Sequence, residues 1–295
     1  MCRTRQLGWE EVPGTQTPTV RRRRLAFELR RLREAAKLTC DDVAGQLECS
    51  ASKISRIETG RVSVSPRDVR DLLRIYGVPA DQHDSLIQLA RDSRQKGWWH
   101  AYGDSVQPHL ATYLGMEGAA SEIRHYNVTR IPVLLQTEDY ARAVITAGRV
   151  GSPQPGTPDR SVELLLERQR LARASPPEVW VVLDEAALRR QVGGREVMRQ
   201  QIEHMIELSG SPTTFLQFVP FSSGAYVAMD LAFVIRAFPD PADPDVVCTG
   251  YQTGMLWIED IAEVHQYNTF FHHLQAAALS IEDSTALMIS VLRDL

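Results

Sequence analysis

The strongest constraint in this chain is the run Leu38-Thr-Cys-Asp-Asp-Val-Ala-Gly-Gln-Leu-Glu-Cys-Ser-Ala-Ser-Lys-Ile-Ser-Arg-Ile-Glu-Thr-Gly60. It predicts two short helices joined by a tight turn. Thr39 can N-cap the first helix, and Asp41 and Asp42 place negative charge in its first turn, where the helix dipole favours it. Val43, Ala44 and Leu47 form that helix's apolar face. Ser50 caps the second helix, and Ile54 and Ile57 point inward at i, i+3 spacing. Gly60 supplies the stop. The outward positions then carry Ser52, Lys53, Ser55 and Arg56, the hydroxyls and cations that touch phosphates and base edges.

These residues resemble the helix-turn-helix of the XRE (Cro-like) family of bacterial transcriptional regulators over roughly residues 20–80. The resemblance implies a homodimer on a palindromic operator of double-stranded DNA, with half-sites about one helical turn apart. Arg56 is the expected base reader, because arginine pairs bidentately with guanine. Ser52, Ser55 and Ala51 line the same face, Ala51 limited to apolar contact such as a thymine methyl. Thr39 and Ser50, at the two helix starts, complete the DNA-contacting set. Lys53, Arg61 and the run Arg21, Arg22, Arg23, Arg24 are expected to position the DNA backbone, each neutralised phosphate adding about 0.9 to the salt slope. Glu58 is expected to bond within the domain. Two departures stand out: the family usually has Gln where this chain has Cys40, and Gly in the interhelical turn where it has Glu48.

Charge supports a nucleic-acid reader joined to a separate control domain. The net charge is −4, but residues 1–96 hold 19 Lys+Arg against 13 Asp+Glu, leaving 14 against 24 for the remainder. The N-terminal third is basic and the body acidic. Cys2, Cys40, Cys49 and Cys248 show no C-x-x-C spacing, so neither zinc nor a disulfide framework is expected. Cys40 and Cys49 read as small packing residues. The start has no apolar signal region and no stretch approaches a membrane span, which points to the cytoplasm. The 30 arginines against 3 lysines suggest a GC-rich coding sequence.

Along the chain, residues 1–19 read as a disordered leader and 20–95 as a five-helix DNA-binding domain. Its first helix runs from Arg21 to about Ala36; the last two start at Ser65-Pro66 and Asp81. Residues 96–115 read as a junction whose Trp98 and Trp99 pack between domains. Residues 116–295 read as an α+β domain with a small, mainly antiparallel sheet packed by helices. Helices are expected at Glu117–Val128, Thr137–Ala147, Val162–Ala174, Glu185–Gln191, Arg195–Ser209, Asp260–Leu279 and Glu282–Leu292. A Pro/Gly linker is expected at 151–158. Strands are expected at Val179–Leu183, Thr213–Phe218, Leu231–Phe238, Val246–Tyr251 and Met255–Ile258.

The run Ile131-Pro-Val-Leu-Leu-Gln-Thr-Glu-Asp-Tyr-Ala-Arg142, with Glu167-Arg-Gln-Arg170 and Val182-Leu-Asp-Glu-Ala-Ala-Leu188, resembles the uncharacterised domain that follows XRE units in many actinobacterial regulators. Some of those are grouped as antitoxin-like, and their genes often neighbour one for a small partner protein. A Tyr-Val/Leu-Glu tripeptide often found on a late strand is replaced here by Tyr251-Gln252-Thr253.

Enzyme chemistry finds no foothold. A self-cleaving Ser–Lys domain needs a lysine base, and no lysine follows Lys96. Ser50-Ala-Ser-Lys53 matches S-x-x-K only inside the recognition helix. No H-E-x-x-H, G-x-S-x-G, Walker or G-x-G-x-x-G string occurs; Glu203-His204-Met-Ile-Glu207 lacks the second histidine. His265, His272 and His273 could gather on one helix face but have no supporting carboxylate or cysteine spacing, and read as surface or interface residues. Glu163, Glu167 and Glu207 sit in ordinary amphipathic patterns. Arg168, Arg170 and Arg173 read as a solvated face, and the aromatic residues of the late strands as core. The sequence therefore predicts no catalytic, metal or cofactor site, and leaves open whether the second domain binds a small molecule or a protein. The alternative to a regulator is an antitoxin-like protein that masks a small partner and autoregulates its operon.

Overall fold

The structure, a computed structural model, describes residues 17–148, 157–251 and 254–295. Most of the expected leader, most of the 151–158 linker, and Gln252 and Thr253 lie outside these residues. The leader's last two residues belong to the first helix and the one before caps it: the Thr17 hydroxyl accepts from the Val20 amide and Pro18 occupies the first helical position. Proline suits that position because its missing N–H would be unsatisfied anyway. The chain divides into two compact units between Gln95 and Lys96.

The first unit is helical: α1 Pro18–Ala35, α2 Cys40–Gln46, α3 Ala51–Glu58, α4 Pro66–Ile75 and α5 His83–Asp92. A 3₁₀ turn, Ala80–Gln82, leads into α5. Leu25 and Leu29 of α1 meet Val43, Ile54, Leu72 and Ile87 in one core. Each helix contributes a single apolar stripe, so none could bury its face alone.

The second unit is built on a six-stranded sheet in the order β3-β2-β1-β4-β5-β6. Its strands are β1 Glu122–Asn127, β2 Glu178–Asp184, β3 Thr214–Val219, β4 Phe233–Ala237, β5 Val246–Tyr251 and β6 Gly254–Ile258. The expected mainly antiparallel sheet needs correction. β1, β2 and β3 run parallel, and only β4, β5 and β6 are antiparallel additions.

Parallel neighbours need long crossovers. Here α7 Glu138–Ala147 and α8 Pro158–Ala174 lie between β1 and β2, and α9 Ala186–Arg189 and α10 Arg195–Ser209 between β2 and β3. The single helix expected over 117–128 is not found, and in its place lies the strand that α7 and α8 connect onward. That segment ends one helix, α6 Pro108–Glu117, and then forms β1 at the centre of the sheet. Polar His125 on an inward position masked the strand's alternation. The region 96–115 is also more than a junction: Trp98 and Trp99 pack with Leu114 and Leu164 inside the second unit.

Strand register decides which side chains share a face. One face carries Val181, Leu183, Leu216 and Phe218 against Tyr140 of α7, Met198 and Ile202 of α10, and Met288 of α12 Ile281–Asp294. The other carries Tyr126, Val182, Phe233 and Val247 against Phe271 and Leu274 of α11 Ile261–Ala277.

Polar groups punctuate this interior. Gln201, wholly buried, donates to the Leu135 carbonyl at 2.7 Å and accepts from the Thr137 amide at 2.8 Å. Gln136 donates to the Ile131 carbonyl, Gln169 to the carbonyls of Val133 and Gln136, and the Tyr140 hydroxyl accepts from the Ile131 amide. The Ile131–Thr137 segment thus enters α7 as a largely buried connection, with a single 3₁₀ turn at Val133–Leu135, whose main chain is satisfied by side-chain amides.

Arg168 corrects another expectation. Instead of facing solvent with its neighbours, it forms a fork on Glu117, Nε to Oε1 and Nη2 to Oε2 both 2.8 Å, and both side chains are nearly buried. Burial alone would raise the Glu117 carboxyl, but Arg168 outweighs it and holds the group below its ordinary value. Nearby His125 is buried too. Burial, with the Arg236 guanidinium adding to it, pushes its pKa down to about 3.

A histidine held neutral in the fold binds fewer protons than the same residue unfolded, so stability rises with pH between the two pKa values. The His125 contribution is fully present above about 6.5 and is lost as pH falls toward 3, by about 1.4 kcal/mol per pH unit inside that window. Half-buried His204 is lowered also and adds the same sign. Thermal unfolding between pH 6.5 and 5.5, above the range where most carboxylates titrate, should show a falling Tm. His125→Gln should flatten that dependence; an unchanged slope in the variant would show that His125 is not its source.

Candidate nucleic-acid interface

The segment entering α2 is closed by reciprocal hydrogen bonds. The Asp42 amide donates to the Thr39 hydroxyl at 3.2 Å, while the Thr39 amide donates to Asp42 Oδ2 at 2.8 Å. This capping box satisfies donors that the helix start would leave open. Cys40 and Cys49 are half-buried against the domain core, as small packing residues would be. Between the helices Glu48 adopts φ +51°. A side chain in the left-handed region costs roughly 1–2 kcal/mol, which is the physical reason glycine suits this turn.

The inner side of α3 holds Ile54 and Ile57, both buried. Beside them Glu58 is almost completely enclosed, its side chain 4% exposed, and receives a fork from Arg33 of α1, Nε to Oε1 at 2.8 Å and Nη2 to Oε2 at 2.9 Å. Arg33 Nη1 donates to the Leu38 carbonyl at 2.7 Å, and the Tyr76 hydroxyl donates to Glu58 Oε1 at 3.4 Å. Burial, reinforced by the Glu58 charge, raises the Tyr76 hydroxyl well above its ordinary value. The Glu58–Arg33 pair therefore ties α3 to the end of α1, the approach to α2 and the end of α4. Sequence reasoning assigned Glu58 an internal bond but missed Arg33, whose place among the arginines of α1 gave no sign of burial.

The outer side of α3 is open. Ser52, Ser55 and Arg56 are exposed, and Arg56 Nε donates back to the Ser52 carbonyl at 3.3 Å. Lys53 lies 3.4 Å from Asp68 of α4, a half-exposed pair that a phosphate would have to compete with. Ala51 is half-buried against the core. The Ser50 hydroxyl accepts from the Lys53 amide and the Thr39 hydroxyl belongs to its capping box, so both are engaged in holding helix starts. Arg61 is exposed just past Gly60, whose φ of +65° turns the chain next to Ala26 and Arg23 of α1.

The Arg21–Arg24 run is less free than a solvated helix start. All four are half-buried, Arg21 Nη1 lies 3.9 Å from Asp92 of α5, and burial lowers the Arg22 guanidinium. The structure thus brings Ser52, Ser55 and Arg56 together on one exposed face and places Arg21–Arg24 on a separate helix.

A short helix with a buried apolar side, an internally neutralised carboxylate and an open side of hydroxyls and a guanidinium defines a DNA-binding helix-turn-helix. Residues 24–86 match the family model of a helix-turn-helix domain, consistent with an XRE-like regulator. Residues 110–290 match a domain of unknown function, DUF5753, and by this match the chain belongs to that family. No curated protein and no solved structure gives a significant match. Among the described residues, no helix is long and apolar enough to cross a membrane.

Two substitutions test the scaffold. Glu48→Gly removes the Cβ from a left-handed position and should stabilise the first unit by about 1 kcal/mol in denaturant unfolding; a loss would mean the strain is relieved elsewhere. Glu58→Ala leaves Arg33 buried without its partner and should cost about 3 kcal/mol, most of it recovered when Arg33→Met and Glu58→Leu are combined. Equal loss in the double variant would argue against an unpaired charge as the cause.

Proposed function

We propose that this chain is a cytoplasmic, sequence-specific transcriptional regulator that binds a palindromic operator as a homodimer, reads bases through Arg56, Ser52, Ser55 and Ala51, and carries an effector-binding rather than an enzymatic second domain. The observation that carries this reading is the exposed Ser52–Ser55–Arg56 face on a helix whose opposite side is fixed by Ile54, Ile57 and Glu58. A helix anchored on one side and polar on the other can enter a major groove without rearranging its support. Lys53, Arg61 and the Arg21–Arg24 run supply positive charge for backbone contact, with Thr39 and Ser50 at the helix starts. The effector role of residues 96–295 draws support from their acidic balance and from the absence of hydrolytic motifs and of any lysine after Lys96.

A second reading, an antitoxin-like protein that also masks a small partner, is favoured by the free edge of the sheet. β6 has a strand neighbour on one side only among the described residues, and Tyr251, Leu256 and Ile261 are prominently exposed there. Glu259, Asp260 and Glu263 line a shallow groove with Leu256 beside this edge. An apolar edge rimmed by carboxylates suits a partner with a basic, extended segment.

Footprinting over the chain's own upstream DNA at two salt concentrations tests the first reading. Wild type should protect a short symmetric site. Arg56→Ala should lose about 1–3 kcal/mol of affinity for that site while weak, salt-sensitive binding persists. Identical protection by the variant would remove Arg56 from base readout, and no protected site at all would favour the partner-masking reading.

A further inference from the structure

The interior of the second unit contains a cation with no counter-charge of its own. Arg236, on β4, is 0% exposed, and its Nε, Nη1 and Nη2 have no hydrogen-bond partner among the described residues. Glu117 is close enough to feel the Arg236 charge, but both its oxygens are taken by the Arg168 fork. Among the groups that act on one another here, two guanidinium groups face one carboxylate and a histidine held neutral, an excess of one positive charge. Proteins rarely tolerate an unpaired, un-hydrogen-bonded ion in their interior, because desolvation is not repaid.

Its surroundings are specific. Register places Arg236, His125, Cys248 and Trp257 on the same face of the sheet. The Tyr113 ring of α6 lies over the guanidinium, 4.0 Å from its Cζ to the ring centroid, and the Trp257 ring lies at 5.8 Å. The two centroids are 6.3 Å apart. The Cys248 thiol on the neighbouring strand also feels the guanidinium, but a thiol is a weak acceptor, so it and the cation–π contact compensate only part of the buried charge and leave the N–H donors without an oxygen partner. Tyr113 and Trp257 are themselves only half-buried, so the rings that cover the guanidinium are the part of the cluster that meets solvent.

We propose that Arg236 is the anchor of a binding site for a small organic monocarboxylate, with Tyr113 and Trp257 as the cover that parts to admit it. A carboxylate accepts two parallel N–H bonds from a guanidinium in plane, which would satisfy the orphaned donors. One negative charge neutralises the cluster, whereas a phosphate dianion would overshoot it beside Glu117. The flanking rings favour a flat apolar body behind the carboxylate. This assignment deepens the effector reading of the second domain and rests on it for its consequence, but the binding itself can be measured without DNA.

The probe is sodium benzoate at about 10 mM, compared with sodium chloride at equal ionic strength and with inorganic phosphate, in thermal unfolding of the full chain. A ligand that binds only the folded state raises Tm. Benzoate should raise the wild-type Tm by about 3 °C or more, and phosphate should not. Arg236→Met, which removes the unpaired charge, should melt at or above wild type without benzoate and gain nothing from it. Arg236→Lys keeps the charge without the fork and should respond weakly, which preserves the test should the methionine variant fold poorly. Surface Arg170→Gln should respond as wild type. No benzoate shift in wild type, a phosphate-only shift, or equal shifts in wild type and the Arg236 variants would each overturn the site. A benzoate shift with an unchanged DNA footprint would uphold the site while refuting its role as an effector of DNA binding.

Discussion

The DNA-binding half depends on one enclosed ion pair. A helix of eight residues has almost no intrinsic stability, so the position and rotation of α3 must be imposed from outside. Ile54 and Ile57 fix which side faces inward, but apolar contact is non-directional and would tolerate rotation or sliding. The Arg33 fork on Glu58 does not: its two short bonds and the Leu38 and Tyr76 contacts are met in one orientation of α3 relative to α1 and α4. A pair like this contributes little net stability compared with an apolar replacement. What it supplies is register, and register is what a base-reading surface needs, since a shift of one ångström would misplace every side chain on its outer face.

The same logic governs the second unit with different chemistry. The Ile131–Thr137 loop enters the core with no more than one 3₁₀ turn, and the amides of Gln136, Gln169 and Gln201 close its main-chain hydrogen bonds. These residues explain why a motif of such mixed polarity occurs there: replacing a clamp amide by an aliphatic group would leave carbonyls unsatisfied in a dry interior, at about 1–3 kcal/mol each. One residue along α8 from Gln169, Arg168 is neutralised by Glu117 on the same principle of complete satisfaction. Arg236 is the exception, and an unsatisfied charge in an otherwise well-satisfied interior points to function rather than to packing.

How much was legible in the sequence follows from which interactions are local. The caps at Thr39, Ser50, Ser65 and Thr137, the stop at Gly60 and the inward isoleucines are set within a few residues of themselves, and the helices of the first unit follow from them. Strands β2 and β5 were visible as apolar runs. β1 was not, because its inward His125 and its neighbour Arg124 interrupt the pattern that a buried strand normally shows. Losing β1 hid the parallel half of the sheet, since a crossover is recognisable only when both strands it joins are known. Arg33 and Arg168 were unreadable for a related reason: an arginine that pairs inside and one that faces water look alike until the carboxylate on another element is placed.

The Glu48 turn shows how the two kinds of constraint trade against each other. Left-handed backbone at a non-glycine residue is unfavourable locally, yet the turn keeps that geometry because the ends of α2 and α3 are fixed independently, α2 by the Thr39–Asp42 box and α3 by Glu58. Local preference therefore yields where tertiary contacts over-determine the backbone. The open face of α3 has no such determinants. Ser52, Ser55 and Arg56 are free to vary without cost to the fold, so the residues that would choose a DNA sequence are separated, on one short helix, from those that hold it in place.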